Sequence, residues 1–169
     1  MRKMAWVMVA LVAVALATTM ASAQEEKAYP FEGKFTVAAD VGRWFTEGED
    51  AWGYSVTLGY FVSPNIDIAV AFSDREGSGA MWSAKLRYWF VSGAERPNPT
   101  FYIGGEVGRT TGWETKKETK NVTVWGAHVG VDWLITGKVS LYGEVAWRHL
   151  GEDEDKDAWI VSIGLRTSF

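Results

Sequence analysis

From residue 34 to residue 169, apolar and polar side chains alternate with a period of two, in eight runs separated by short polar or glycine-bearing breaks. The runs cover 34–46, 52–62, 66–74, 80–91, 100–110, 122–135, 138–149 and 158–169. Tyr54, Val56, Leu58, Tyr60 and Val62 share one face of the second run, and Ile66, Ile68, Val70 and Phe72 one face of the third. Trp82, Ala84, Leu86, Tyr88 and Phe90 do the same in the fourth. Alternation this regular predicts strands that meet an apolar medium on one side only. Ser63-Pro64-Asn65 and Thr136-Gly137-Lys138 are tight-turn material, while 92–99 and 111–120 are longer connections. Short links make sequential strands antiparallel neighbours.

Alternation does not say whether the apolar face lines an interior or coats an exterior. The opposite face decides, because it carries Gly42, Gly53, Gly59, Gly104, Gly108, Gly126, Gly130 and Gly164 with Ser55, Thr57, Ser140, Ser162 and several charges. Glycine weakens a strand and gains nothing on a water-facing surface. In the narrow lumen of an eight-stranded barrel, by contrast, small residues must alternate with large ones. The apolar face is also banded. Aliphatic residues hold its middle, and Phe35, Phe45, Tyr60, Phe72, Trp82, Phe90, Phe101, Trp125, Trp133, Trp147, Trp159 and Phe169 lie mostly near strand ends, where bilayer interfaces collect aromatic rings. A lipid-facing lysine or arginine at mid-depth would cost about 2–4 kcal/mol. Arg43, Arg109 and His149 on this face all fall at one end. The expected fold is therefore all-β: a single eight-stranded antiparallel up-and-down transmembrane barrel with a polar, side-chain-filled lumen.

The glycine-rich aromatic segment Phe101-Tyr102-Ile103-Gly104-Gly105-Glu106-Val107-Gly108 and a last strand ending on Phe169 resemble the small eight-stranded outer-membrane barrels of Gram-negative bacteria, the OmpA/OmpX type. The resemblance covers the whole mature chain, residues 24–169, and implies an integral outer-membrane protein with both termini in the periplasm. It implies that Val161, Ile163, Leu165 and Phe169 act as the signal read by the barrel-assembly machinery, with Thr167 a weak member. It also implies contact with outer-membrane lipid and lipopolysaccharide. Long outer loops are frequent in such proteins, but here 47–51, 75–79, 111–121 and 150–157 are short, which disfavours surface adhesion.

The front of the chain changes the picture of where the barrel is made. Arg2 and Lys3 precede an apolar stretch from Met4 to Ala17, and Ala21-Ser22-Ala23 supplies small residues for cleavage before Gln24. This predicts a signal peptide over 1–23, a periplasmic lead over 24–33 and the barrel over 34–169. The sequence has 17 basic and 21 acidic side chains; losing Arg2 and Lys3 leaves 15 against 21, which gives no general attraction to nucleic acid. With no cysteine there is no disulfide framework, thiolate metal site or thiol nucleophile. No cofactor or metal is expected, since the acidic run 152–155 with Asp157 lacks the glycine-turn spacing of a calcium loop.

Inward parity places Asp40, Asp67, Glu106, Asp132 and Glu144 in the lumen with Lys85, Arg87, Arg148, Arg166 and His128. Near balance of charge in a confined space predicts mutual pairing rather than an open channel. Hairpin counting sets Asp67 opposite Arg87, Lys85 opposite Glu106 and His128 opposite Glu144, each pair about 5 Å apart at Cβ. On the outer rim, Arg43 and Arg109 with Lys116, Lys117 and Lys120 form a candidate set for lipopolysaccharide phosphates, which guanidinium grips in bidentate fashion. No serine, histidine and acid are brought together in a nucleophile–base arrangement, so no enzyme is expected. A monomeric structural or envelope-integrity protein is the leading expectation. A narrow porin-like channel is the alternative, ahead of an adhesin or a lipid A-modifying enzyme.

Overall fold

The computed structural model describes residues 33–46, 49–76, 79–91, 97–111, 113–114, 119–151 and 156–169. Eight long strands are β1 (Phe35–Thr46), β2 (Glu49–Ser63), β3 (Ile66–Arg75), β4 (Met81–Trp89), β5 (Thr100–Thr110), β8 (Thr123–Leu134), β9 (Val139–Leu150) and β10 (Lys156–Ser168). Between β5 and β8, β6 (Trp113–Glu114) and β7 (Thr119–Lys120) pair as a two-residue ribbon. The long strands close into a barrel in the order β1-β10-β9-β8-β5-β4-β3-β2, every pair antiparallel. Pairing of β1 with both β2 and β10 removes every free edge, which a bilayer demands because it offers no partner for an exposed N–H or C=O.

The period-two pattern becomes geometry directly. In β4 exposure alternates at every residue, with Met81, Ser83, Lys85, Arg87 and Trp89 buried and Trp82, Ala84, Leu86 and Tyr88 exposed. Leu58, Val107 and Leu86 are 57–60% exposed and belong to a continuous outward apolar band, of the kind that marks contact with a membrane or a partner. Outward rings stack at both edges of this band: Phe35 on Tyr60 at 4.9 Å near the termini, and Phe72 on Trp82 at 4.8 Å at the far end.

Strands reach further outward than the sequence pattern indicated. β2 begins at Glu49 and β10 at Lys156, because ladder pairs such as Thr46↔Glu49 and Lys156↔Leu150 continue into polar sequence. Arg75, expected in a turn, is instead the last residue of β3 and is buried in the lumen.

Candidate functional site: the filled lumen and the outer rim

The inner wall is built by fitting large side chains against glycine. Tyr102 on β5 stands opposite Gly130 on β8, and Gly104 stands opposite His128 on the same two strands. A Cβ at Gly130 would sit 2.2 Å from the Tyr102 ring, and one at Gly104 would sit 2.4 Å from His128 Nε2. Each pair thus exchanges the missing side chain of one strand for the bulk of the other.

Paired charges run through the lumen from the terminal end to its far half. Asp67, fully buried, accepts hydrogen bonds from Arg87 Nε at 2.9 Å, Arg87 Nη2 at 2.5 Å and Trp89 Nε1 at 3.0 Å. Arg166 donates to Asp132 at 2.5 Å, and its guanidinium lies 4.7 Å from the Trp89 ring centre, 5.3 Å from Tyr102 and 4.6 Å from Tyr142. Tyr142 donates to Asp40 at 2.6 Å, and Ser55 donates to the same carboxylate. Glu144 takes Lys85 at 3.2 Å and the Tyr102 hydroxyl at 2.9 Å. Glu106 takes Arg148 in bidentate fashion and Ser83 at 3.1 Å, while the Arg148 guanidinium stacks 4.6 Å over Trp44. Arg75 lies 6.0 Å from the same indole. Bidentate geometry and extra hydrogen bonds of this kind are what offset the desolvation of buried charge.

The hairpin register holds for two of the three expected pairs. Asp67 stands opposite Arg87 and Lys85 opposite Glu106. His128 does not stand opposite Glu144: its partner is Ala146, and Glu144 faces Gly130. The turn is centred one residue later than Thr136, with Ile135 and Thr136 both donating to the Val139 carbonyl, and one residue at the centre shifts every pair by two. His128 is packed rather than hydrogen-bonded, neither ring nitrogen having a partner among the described residues.

Opposition in the ladder is also not the same as pairing. Lys85 reaches Glu144 on β9, three strands away around the barrel, in place of its ladder neighbour. Glu106 pairs with β9 and Asp132 with β10, each two strands away. With Arg75 added, five buried bases face five acids among the described residues.

Inward aromatic and aliphatic side chains, which sequence reasoning passed over, cluster near both ends of the lumen. Near the termini Phe61, Trp89 and Tyr102 form one cluster. At the far end Trp44, Met81, Val122, Val124, Ala146, Leu150, Ala158 and Ile160 form another. The signal that could have located the first was present: Tyr102 and Trp89 have inward parity, and Tyr102 falls opposite a glycine.

The outer rim is different from expectation. Arg43 and Arg109 are both exposed and project outward, but β1 and β5 are diametrically opposed in the strand order, so the two arginines cannot grip one lipid. Arg43 is already engaged by Asp50 and stacks 5.7 Å from Phe45. Among the described residues no carboxylate pairs with Arg109. Lys116 and Lys117 lie outside the described residues, as do 1–32 and the acidic run 152–155; Lys120 is the last residue of β7. His149 Nδ1 donates to the Asp157 carboxylate at 3.0 Å, and the ring lies against Trp125 at 5.0 Å. Val161, Ile163 and Phe169 are exposed and Leu165 half-exposed, all on the outward wall.

No protein-family model matches the sequence, and no curated protein is similar to it. Solved structures are. The N-terminal β-barrel domain of Pseudomonas aeruginosa OprF superposes with a TM-score of 0.62 at 17% identity, covering 82% of this chain and 98% of that one. Neisserial surface protein A gives 0.61 at 16% identity, covering 82% and 100%. A transmembrane β-barrel designed de novo gives 0.62 at 14% identity, covering 83% and 99%. At these identities the likeness is one of fold, and a designed chain among the matches underlines that this fold carries no function of its own. The architecture is that of the eight-stranded transmembrane barrels, natural outer-membrane ones among them.

Proposed function

We propose that this protein is a monomeric, non-conducting structural barrel of the outer membrane, exported by a signal peptide over 1–23, with its termini in the periplasm. The observation that carries the proposal is the filled lumen, in which Lys85–Glu144 and Arg148–Glu106 lie between an apolar cluster around Trp44 at one end and an aromatic cluster, interleaved with Arg87–Asp67 and Arg166–Asp132, at the other. A pore needs a continuous wet path, and apolar side chains clustered at two levels of the lumen weigh against one. The outward residues Val161, Ile163, Leu165 and Phe169 fit recognition by the assembly machinery. Lipopolysaccharide contact at the outer rim is part of the same reading, with Arg43 and Arg109 meeting different molecules.

Deleting the gene is expected to lower survival in detergent with a chelator while leaving uptake of small hydrophilic solutes unchanged. Slower solute uptake with intact detergent resistance would favour the narrow pore instead. Altered lipid A acylation on overexpression would point to an enzyme.

A further inference from the structure

Among the described residues, four of the five lumen carboxylates hold a base: Asp67 holds Arg87, Asp132 holds Arg166, Glu106 holds Arg148 and Glu144 holds Lys85. Asp40 is the exception. Its hydrogen bonds come from two neutral hydroxyls, Ser55 and Tyr142, and both fall on Oδ2. Its chief charged neighbours are Lys85, whose ammonium is taken by Glu144, and Glu144 itself. Arg75 does not make good the deficit, because its guanidinium lies against Trp44, four residues or about 13 Å along β1 from Asp40. The middle of the lumen thus carries one negative charge more than its cations match. Burying a carboxylate in that condition is strongly unfavourable.

The wall beside Asp40 is recessed. Across β1 and β10, Asp40 stands opposite Gly164, and Ser162 stands opposite Gly42. A Cβ at Gly164 would sit 2.7 Å from the Asp40 Cβ, and one at Gly42 would sit 2.8 Å from the Ser162 Cβ. Each side chain therefore lies on the inner face over the glycine opposite, and two of these four inner positions hold no side chain. Asp40 and Ser162 both keep accessible surface although they point inward, where Ser55, Tyr142 and Glu144 are buried. Ser162 in turn stands opposite Glu144 on β9. These residues wall a small polar chamber at mid-lumen.

The chemistry of the walls sets the occupant. Asp40 Oδ1 accepts no hydrogen bond among the described residues, and a hydroxyl that donates its proton still has lone pairs to offer. Carboxylate and hydroxyl oxygens suit a hard cation. One uncompensated charge matches a monovalent ion, whereas a divalent ion would replace a negative excess by a positive one.

We propose that this chamber is a site for a small monovalent cation of the sodium class, held by the Asp40 carboxylate with the hydroxyl oxygens of Ser55, Ser162 and Tyr142. The ion completes the charge balance of the middle of the lumen. Side chains fill the lumen on either side, so the ion enters as the barrel folds, and the folding equilibrium reads its binding. The test is equilibrium urea unfolding of the full-length mature protein from phosphatidylcholine vesicles, which carry no net charge. Sodium chloride is replaced stepwise by N-methylglucamine chloride at constant ionic strength. Above half-saturation, wild type is expected to gain about a tenfold larger folding constant for each tenfold rise in sodium, equivalent to 1.4 kcal/mol. Asp40→Asn, which keeps the shape of the side chain, is expected to lose this dependence, and so is Ser162→Val. Asp74→Asn, which removes an outward carboxylate on β3, is expected to keep it. Equal wild-type midpoints in the two salts overturn the proposal and show that Asp40 carries a proton instead. A sodium dependence that survives in Asp40→Asn, or is lost equally in Asp74→Asn, overturns it as well. If Asp40→Asn does not fold, Ser162→Val decides: a folded variant whose midpoint follows sodium as wild type does refutes the site.

Discussion

The end of the lumen nearest the termini is closed by rings laid against a guanidinium, whereas the far end is closed by aliphatic side chains and one indole. Near the termini, Arg166 is held by Asp132 and by the faces of Trp89, Tyr102 and Tyr142, and Asp67 saturates its oxygens on Arg87 and Trp89. At the far end Met81, Val124, Leu150 and Ile160 exclude water by volume alone, with Trp44 linking them to Arg148. One closure depends on charge being completed, the other on space being filled. The two should fail differently.

Asp67→Ala is expected to have the largest effect, because it leaves the buried Arg87 guanidinium without its carboxylate. Breaking such a pair costs about 3–5 kcal/mol, read as a lower midpoint of urea unfolding from lipid vesicles. Replacing both partners, Asp67→Leu with Arg87→Met, should recover most of that loss. If the double variant is as unstable as the single, the terminal closure is not governed by charge completion. Trp44→Ala at the far end should cost about 3 kcal/mol through the cavity it leaves. It should still produce no conductance, since the aromatic closure remains; a conducting Trp44→Ala barrel would show that only the far end seals. Gly130→Val should cost about 1–3 kcal/mol by overpacking and displace Tyr102 from Glu144, lowering the unfolding midpoint where an outward Val41→Ala does not. Arg43→Ser, which breaks an exposed pair with Asp50, should change stability by less than about 1 kcal/mol.

How far this was legible in the sequence depends on how local each feature is. Strand number, the inward and outward faces and the ladder pairs Asp67↔Arg87 and Lys85↔Glu106 follow from period-two parity and hairpin counting, which involve only neighbouring strands. The His128 pairing failed because one residue in the turn after Leu134 moves the whole ladder. The lumen's actual ion pairs were not legible, since Lys85–Glu144 and Arg166–Asp132 cross the interior between strands that are not adjacent. Their reach depends on barrel shear and side-chain length. Arg75 was missed because ladder pairing carries β3 one residue past the apolar run. The separation of Arg43 from Arg109, by contrast, was available from strand count alone, because the first and fifth strands of eight lie opposite.

Single-channel recording of the purified wild-type protein in planar bilayers bears most directly on the sealed interior. The charge layer and its two closures predict a silent barrel, with no unitary current steps at moderate voltage and neutral pH. Sustained steps of reproducible size, carried by potassium or chloride through the monomer, would contradict the account.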